Sequence, residues 1–400
     1  MVRGKGTGFV SIEGSEEDVV IERDALGFAL DGDLVEISVK PLVAGKRLEG
    51  AVVKVVKRTW RELIGAVKER DVAGKKLFYL SPDNHRIHVR PTLPTATGND
   101  LGMKVAVELT TWTDAKVDPT ATIIEVLGRV GDHETEMQAI IRSGGFTKTF
   151  PEAVQTEAHA LYEKREQIFA AALADPKRRD MRTALTMTID PVDAKDFDDA
   201  LSLTTLPNGN YEIGIHIADV SHYVTLGSLL DDEAKERGTS IYLVDRVIPM
   251  LPEVLSNDVC SLNPHEDKLT FSAVFVIDDA AHIHTRWFGR TVINSTHRFT
   301  YETAQAAIDG VAANVTKYSK GIQPVELAEA GMQYAEPLIT LNRLAKILQK
   351  QKFAQGAIEF EQEEIKFRLD FQGRPIGVYV YERLDTHKLV EEYMLSLIHI

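Results

Sequence analysis

Five aspartates fall within ten residues of this chain, at Asp190, Asp193, Asp196, Asp198 and Asp199, with Lys195 the one cation among them. They follow directly on the strand-like Thr186-Met187-Thr188-Ile189. Carboxylates this close repel one another, and burial raises the pKa of each further. A fold keeps such a cluster for one of two reasons: it is solvated, or it seats a cation. Pro191 disfavours a continuous helix here, and Phe197 and Ala200-Leu201 set apolar anchors among the acids. Hard oxygen ligands without His or Cys suit Mg²⁺ or Mn²⁺, which one or two carboxylates hold together with substrate phosphates. One or two such ions over a scissile phosphodiester would assist its hydrolysis. A calcium loop is excluded, because the glycine it requires at its sixth position is absent.

The surrounding patterns say what must position these acids. After residues 186–189 come a strand at 211–218, a helix at 226–237 and strands at 270–277 and 285–293. A long helix follows at about 325–352, then strands at 357–369 and 377–381, then a helix from Asp385. This is an α+β body of catalytic size. Ahead of it, residues 151–173 have helical spacing, with Pro151 in the first turn. The N-terminal part reads instead as two sets of short strands. The first alternates through residues 6–12, 18–21, 34–39 and 51–56; the second is expected at 63–67, 77–80, 86–89, 104–109 and 121–126. Two small β-barrels in series are the economical reading. The expected boundaries are 1–57 and 58–128 for the barrels, 129–182 for a linker with a helical lead-in, and 183–400 for the catalytic body.

Composition narrows the setting. The net charge of −14 speaks against nucleic acid as a partner, but residues 51–100 hold ten basic and five acidic residues. A local basic face binds phosphate on an acidic protein, so Arg58, Arg61, Lys68, Arg70, Lys75 and Lys76 suit phosphate contacts as well as plain solvation. No apolar run approaches the about 20 residues of a spanning helix, and no signal peptide is read at the N-terminus. Cys260, the single cysteine, excludes a disulfide framework and fits a reducing cytoplasm; it reads as a small buried hydrophobe. His216 and His222 are six apart without a third ligand at zinc spacing, which favours structural roles. Phe9, Phe78 and Tyr79 are barrel-core or base-stacking aromatics, and sequence does not choose between these.

The stretch Thr188-Ile189-Asp190-Pro191 through Asp196-Phe197-Asp198-Asp199 resembles the signature of the ribonuclease II/R catalytic domain. Four further stretches match that family in the same order: Gly214-Ile215-His216-Ile217-Ala218-Asp219-Val220-Ser221, Arg237-Gly238-Thr239-Ser240-Ile241-Tyr242, Val247-Ile248-Pro249-Met250-Leu251-Pro252, and Cys260-Ser261-Leu262-Asn263-Pro264. The resemblance favours the ribonuclease R branch. It implies two cold-shock-type (OB) barrels, then an RNB catalytic domain acting on single-stranded RNA as a monomeric 3′→5′ exoribonuclease in the cytoplasm. By the same resemblance Asp190, Asp196, Asp198 and Asp199 are the catalytic acids. Asp190, Asp196 and Asp199 would ligate Mg²⁺ (or Mn²⁺), and Asp198 is the acid to which the chemistry is most sensitive. Tyr242 matches the aromatic that stacks on the 3′-terminal base, Phe360 its clamp partner, and Glu391 a substrate-facing acid. Lys5 and Phe9 fall on the RNA-binding strand of the first barrel. A non-catalytic RNA-binding protein on the same scaffold is the alternative.

The chain departs from the family at its end. There the catalytic domain continues to a Ser-Pro-Ile-Arg-Arg-Tyr-type segment, whose arginine stabilises the phosphate under attack, and a third barrel follows. The expectation is therefore a C-terminally truncated protein that binds RNA with little or no turnover. Residues Leu395-Ser396-Leu397-Ile398-His399-Ile400 match the peptide that a transposon-derived sequencing adapter encodes, so this ending is expected to be artificial.

Overall fold

The computed structural model describes residues 6–15, 17–41, 47–59, 62–310, 324–358 and 363–399. The chain divides into two compact units, Met1–Lys148 and Thr149–Ile400.

In the first unit, β1 (Gly8–Val10), β2 (Val19–Ile21), β3 (Leu34–Val39) and β4 (Glu49–Lys57) form a sheet in the order β1-β2-β4-β3. Val19, Ile21 and Leu26 make its small core. A second sheet contains β5 (Glu62–Val72), β6 (Lys75–Pro82), β7 (Met103–Thr111) and β8 (Thr120–Arg129) in the order β6-β5-β7-β8. Its two edges are joined through Thr92, which bridges Tyr79 of β6 and Thr120 of β8. Backbone bonds Leu80 N–H to Pro91 O and Ala121 N–H to Thr92 O complete the closure. The closing segment is thus not the expected strand at 86–89. Ile87 and Val89 are buried as their alternation implies, but residues 84–87 turn and no ladder forms there. Pro91 and Pro94, which lack N–H donors, flank this short closure and confine its bridges to the single residue Thr92. A helix the sequence pattern did not reveal, α1 (His133–Ser143), lays Ala139 against Ile64 and Ala106 of this barrel.

The second unit starts with α2 (Glu152–Glu163) and α3 (Arg165–Leu173), two helices meeting at Lys164 where one was expected. Its centre is a mixed sheet of β9 (Arg179–Asp180), β10 (Leu185–Asp190), β11 (Asp199–Thr205), β12 (Tyr211–Ala218), and three later strands. Between them lie α4 (Val220–Tyr223), α5 (Leu229–Arg237), the hairpin of β13 (Ile241–Tyr242) and β14 (Val247–Ile248), and a π-helical turn, Val254–Val259. Gly238 ends α5 at φ 73°, a left-handed conformation that costs glycine little. The later strands are β15 (Asp267–Ile277), β16 (Ile283–Asn294) and β17 (His297–Thr300), giving the order β17-β10-β11-β12-β15-β16-β9.

Both faces of this sheet are covered. On one, Met187, Ile189, Leu201, Ile215, Phe275 and Phe299 pack against α6 (Tyr301–Ile308), α7 (Pro324–Ala354) and the helix that closes the chain. On the other, Ala200, Ala218, Val274 and Ile293 meet α2, α5 and the π-turn. An antiparallel pair, β18 (Glu364–Leu369) and β19 (Pro375–Tyr381), precedes the closing helix α8 (Asp385–His399). The architecture is α+β, two small β-barrels followed by a sheet-centred body. No helix among the described residues is long and apolar enough to cross a membrane.

Candidate active site

The aspartates gather because the chain reverses there. β10 ends on Asp190, Pro191 removes the next ladder donor, and the chain returns antiparallel as β11 from Asp199. Eight residues of irregular backbone lie between. Their polar groups need partners, and three distant segments supply them. Arg298, on β17 beside β10, donates to Pro191 O at 2.8 Å and Val192 O at 2.9 Å, with its guanidinium 5.0 Å from the Phe197 ring. Ser261 Oγ accepts the Phe197 N–H at 3.0 Å and donates to Lys195 O at 3.0 Å, while Leu262 N–H donates to Phe197 O. Ala218 N–H donates to Asp198 O at 2.9 Å. Phe197 itself is buried, the apolar peg of the loop.

Arg298→Met keeps the aliphatic stem and removes the bonds to the loop carbonyls of Pro191, Val192 and Ala194. Charge-assisted bonds of this kind contribute about 1.5–3 kcal/mol each. The variant is expected to melt several degrees lower and to show faster amide exchange across residues 191–198. Unchanged melting and exchange would show that Arg298 is not the clamp.

Electrostatics single out the same residues. Asp190 is buried, and its Oδ2 has no hydrogen-bond partner. Burial, then the charges of Asp199 and Asp198, push its pKa up to about 7 against the pull of the neighbouring Thr188 hydroxyl and then of Arg298. Burial and Asp198 push Asp199 up to about 6. Asp198 is raised too, first by the surrounding protein and then by Asp196, although its side chain is open to solvent. Asp196 accepts a hydrogen bond from the Tyr242 hydroxyl at 3.1 Å. Asp193 lies exposed on the loop.

An orphaned buried carboxylate oxygen among acids that raise one another fits a divalent cation, and the all-oxygen donor set fits a hard one. Among the described residues no three His, Cys, Asp or Glu side chains already stand at metal-holding spacing. A cation here would draw the carboxylates closer or fill its shell with water and phosphate, as Mg²⁺ commonly does.

Other residues singled out by sequence fall as follows. Tyr242, on β13, keeps 66% of its surface exposed while its hydroxyl touches Asp196, so its ring is open beside the acids. Burial and that carboxylate push the phenol up to about 12. Glu391 is exposed on α8 and ion-paired with Arg383. Phe9 is half-buried on β1, opposite Val20. Lys5 and Phe360 lie outside the described residues. His216 is fully buried, with Nδ1 2.6 Å from Ser272 Oγ and Nε2 2.9 Å from Ser202 Oγ. Burial lowers its pKa to about 3, so it is neutral and structural. A Cβ on Gly214 would stand 2.5 Å from both His216 Nε2 and Ser202 Oγ, which explains the glycine. Cys260 is buried, and burial pushes its thiol up to about 12, far from a nucleophile.

Sequence reading gave no role to Arg298, Ser261, Tyr301 or Glu302. Tyr301 opens α6, and burial, then Asp199 and Asp190, push its hydroxyl up to about 12. Glu302 follows with Oε2 buried and without a hydrogen-bond partner. Asp190 pairs with Thr300 across the parallel β10–β17 ladder, which brings this helix start to the acids. Ser261 at least lay in a matched motif; the other three carried no local signal.

Comparison with known proteins agrees with this layout. Residues 178–397 match the RNB domain, 79–151 a cold shock domain and 2–55 a ribonuclease B OB domain. Ribonuclease R 1 of Lactococcus lactis is 34% identical over 402 residues, covering 98% of this chain and 47% of its own length. The chain spans about half the length of the curated relatives it matches. Among solved structures, Mycoplasma genitalium RNase R in complex with ribose-methylated single-stranded RNA superposes with a TM-score of 0.82 at 25% identity, over 99% of this chain and 59% of that one. Yeast Ssd1, described as a pseudonuclease, shares the fold at 17% identity and a TM-score of 0.67, over 99% of this chain and 53% of its own. The RNB match takes in more than half of the residues, including the whole acid-bearing sheet, and the chain therefore belongs to the ribonuclease II/R family.

Proposed function

We propose that the protein containing these 400 residues is a 3′→5′ exoribonuclease that hydrolyses single-stranded RNA to nucleoside 5′-monophosphates. The observation that carries this reading is the loop 190–199, where a buried carboxylate with an unpartnered oxygen meets three more aspartates and one open aromatic ring. Asp190, Asp196 and Asp199 would hold Mg²⁺ or Mn²⁺. Such an ion supplies stabilisation of charge on the attacking and leaving oxygens. Asp198, its carboxyl raised above the ordinary range by desolvation and then by Asp196, accepts the proton of the attacking water. Tyr242 offers a ring for the 3′-terminal base, and stacking suits a sequence-tolerant enzyme because every base has a π-face. The N-terminal barrels gather the strand through their basic residues. The RNA held by the Mycoplasma relative supports this substrate class.

The 400 residues by themselves are expected to bind RNA with little or no turnover. The rival reading, an RNA-binding protein on the same scaffold without catalysis, draws on the absence of a ready-made three-ligand set among the described residues. The test uses 5′-labelled single-stranded RNA with Mg²⁺ and three proteins: this chain, a version extended by the C-terminal half of a ribonuclease R, and that version lacking residues 1–148. Stepwise 3′ shortening by the extended protein, weakened when the barrels are removed, supports the proposal. RNA binding without shortening by the extended protein sinks it in favour of the rival.

A further inference from the structure

Behind the acid loop lies an ion pair that the proposed chemistry does not touch. Arg178 and Asp219 bond at 3.0 Å with both side chains only 1% exposed. Asp219 stands where β12 turns into α4, at φ −78° and ψ 61°, the backbone of an inverse γ-turn. Its Oδ1 accepts from Ser221 Oγ at 3.1 Å, and Arg290 Nε lies 3.5 Å from its Oδ2. Its own N–H donates to Leu269 O on β15. Arg178 reaches further, to Thr291 O on β16 at 2.9 Å and Thr270 O on β15 at 3.4 Å. The two residues together therefore tie four segments at the acid end of the sheet.

Such a knot is a poor way to gain stability. Apolar residues of similar volume often replace a buried pair at no loss, because desolvation cancels much of the attraction. This one leaves Arg178 Nε buried without a partner, a further cost. What the pair fixes is position. The residue directly before Asp219 is Ala218, whose N–H holds the Asp198 carbonyl at 2.9 Å. A turn free to rotate at Asp219 would carry that N–H, and the Asp198 backbone, with it.

We propose that Arg178 and Asp219 are positioning residues for Asp198, acting through the Ala218 amide. The inference rests on the exonuclease reading only for its kinetic readout. The test is the double variant Arg178→Met/Asp219→Leu in the extended protein, which removes both charges together and avoids stranding either. Its melting temperature is expected to stay close to that of the parent and its KM for RNA to hold. Its kcat is expected to fall on the order of 10- to 100-fold, as small misplacements of catalytic groups do. Amide exchange over residues 216–219, which reports the Ala218 bond itself, should quicken while the centre of the sheet stays protected.

A double variant with unchanged kcat and unchanged exchange overturns the proposal and leaves the pair as packing alone. If the double variant does not fold, Arg290→Met decides, since it removes only the longer contact of a half-exposed side chain. It should quicken exchange at 216–219 to a smaller degree, and unchanged exchange overturns the proposal. Should the parent fail to shorten RNA, the exonuclease reading falls, yet the exchange measurement still decides whether the pair sets the Ala218–Asp198 bond.

Discussion

Asp198→Asn in the extended protein is expected to slow RNA shortening on the order of 10²- to 10⁴-fold, the range a positioned general base contributes, while RNA binding holds. The substitution keeps shape, and the Ala218 N–H bond is to the backbone carbonyl, so the loop should stay in place. What disappears is the one carboxylate of the four that is both raised in pKa and on an exposed residue. Removing a negative charge beside the scissile phosphate should, if anything, tighten RNA binding slightly. Single-turnover shortening of labelled RNA and anisotropy binding at equal Mg²⁺ separate the two effects. A variant that still cuts within about tenfold of the parent rate would remove Asp198 from the role of base.

The second large effect concerns stability and needs no turnover. Asp190 has an ordinary carboxyl value of 3.8 and is pushed up to about 7 in the fold; Asp199 is pushed up to about 6. Between pH 4 and 7 the native state therefore holds more protons at these sites than the unfolded chain does. By linkage their contribution to stability is present at low pH and is lost as pH rises through that window. At about 1.4 kcal/mol per pH unit, the loss from Asp190 is roughly 2–4 kcal/mol in metal-free protein. That corresponds to roughly 5–10 °C in melting temperature for a unit of this size. Asp190→Asn should remove the penalty, so metal-free variant and parent converge near pH 4 and the variant melts higher above pH 7. Millimolar Mg²⁺ should raise the parent's melting temperature at pH 8, because an ion that binds only the native state stabilises it, and should barely move the variant's. Parallel pH curves for the two proteins, or an equal response to Mg²⁺, would contradict both the buried charge and its role in holding the ion.

Much of this is legible in the sequence. The strand at 211–218 was read with its true ends, and the acid run was located with its apolar anchors, because alternation and the effect of Pro191 act over a few residues. Local pattern also misled where burial and pairing part company. Residues 86–89 alternate because Ile87 and Val89 are buried, yet the barrel closes at Thr92. The expected helix at 151–173 breaks at Lys164, and α1 went unseen.

The sequence alone determined which residue types are present, that five acids follow directly on an apolar strand, and by motif order to which family they point; that the chain reverses there into β11 is a finding of the tertiary structure. Tertiary structure alone decided what holds the acids in place. Arg298 reaches Pro191 across 107 residues of chain, Ser261 reaches Phe197 across 64, and Arg178 reaches Asp219 across 41. It also decided which acid loses water, since Asp190 and Asp193 are the same residue type three positions apart, one buried and one exposed. Periodicity and spacing report on neighbours along the chain. Desolvation and hydrogen bonding depend on neighbours in space, and those exist only once the sheet has assembled.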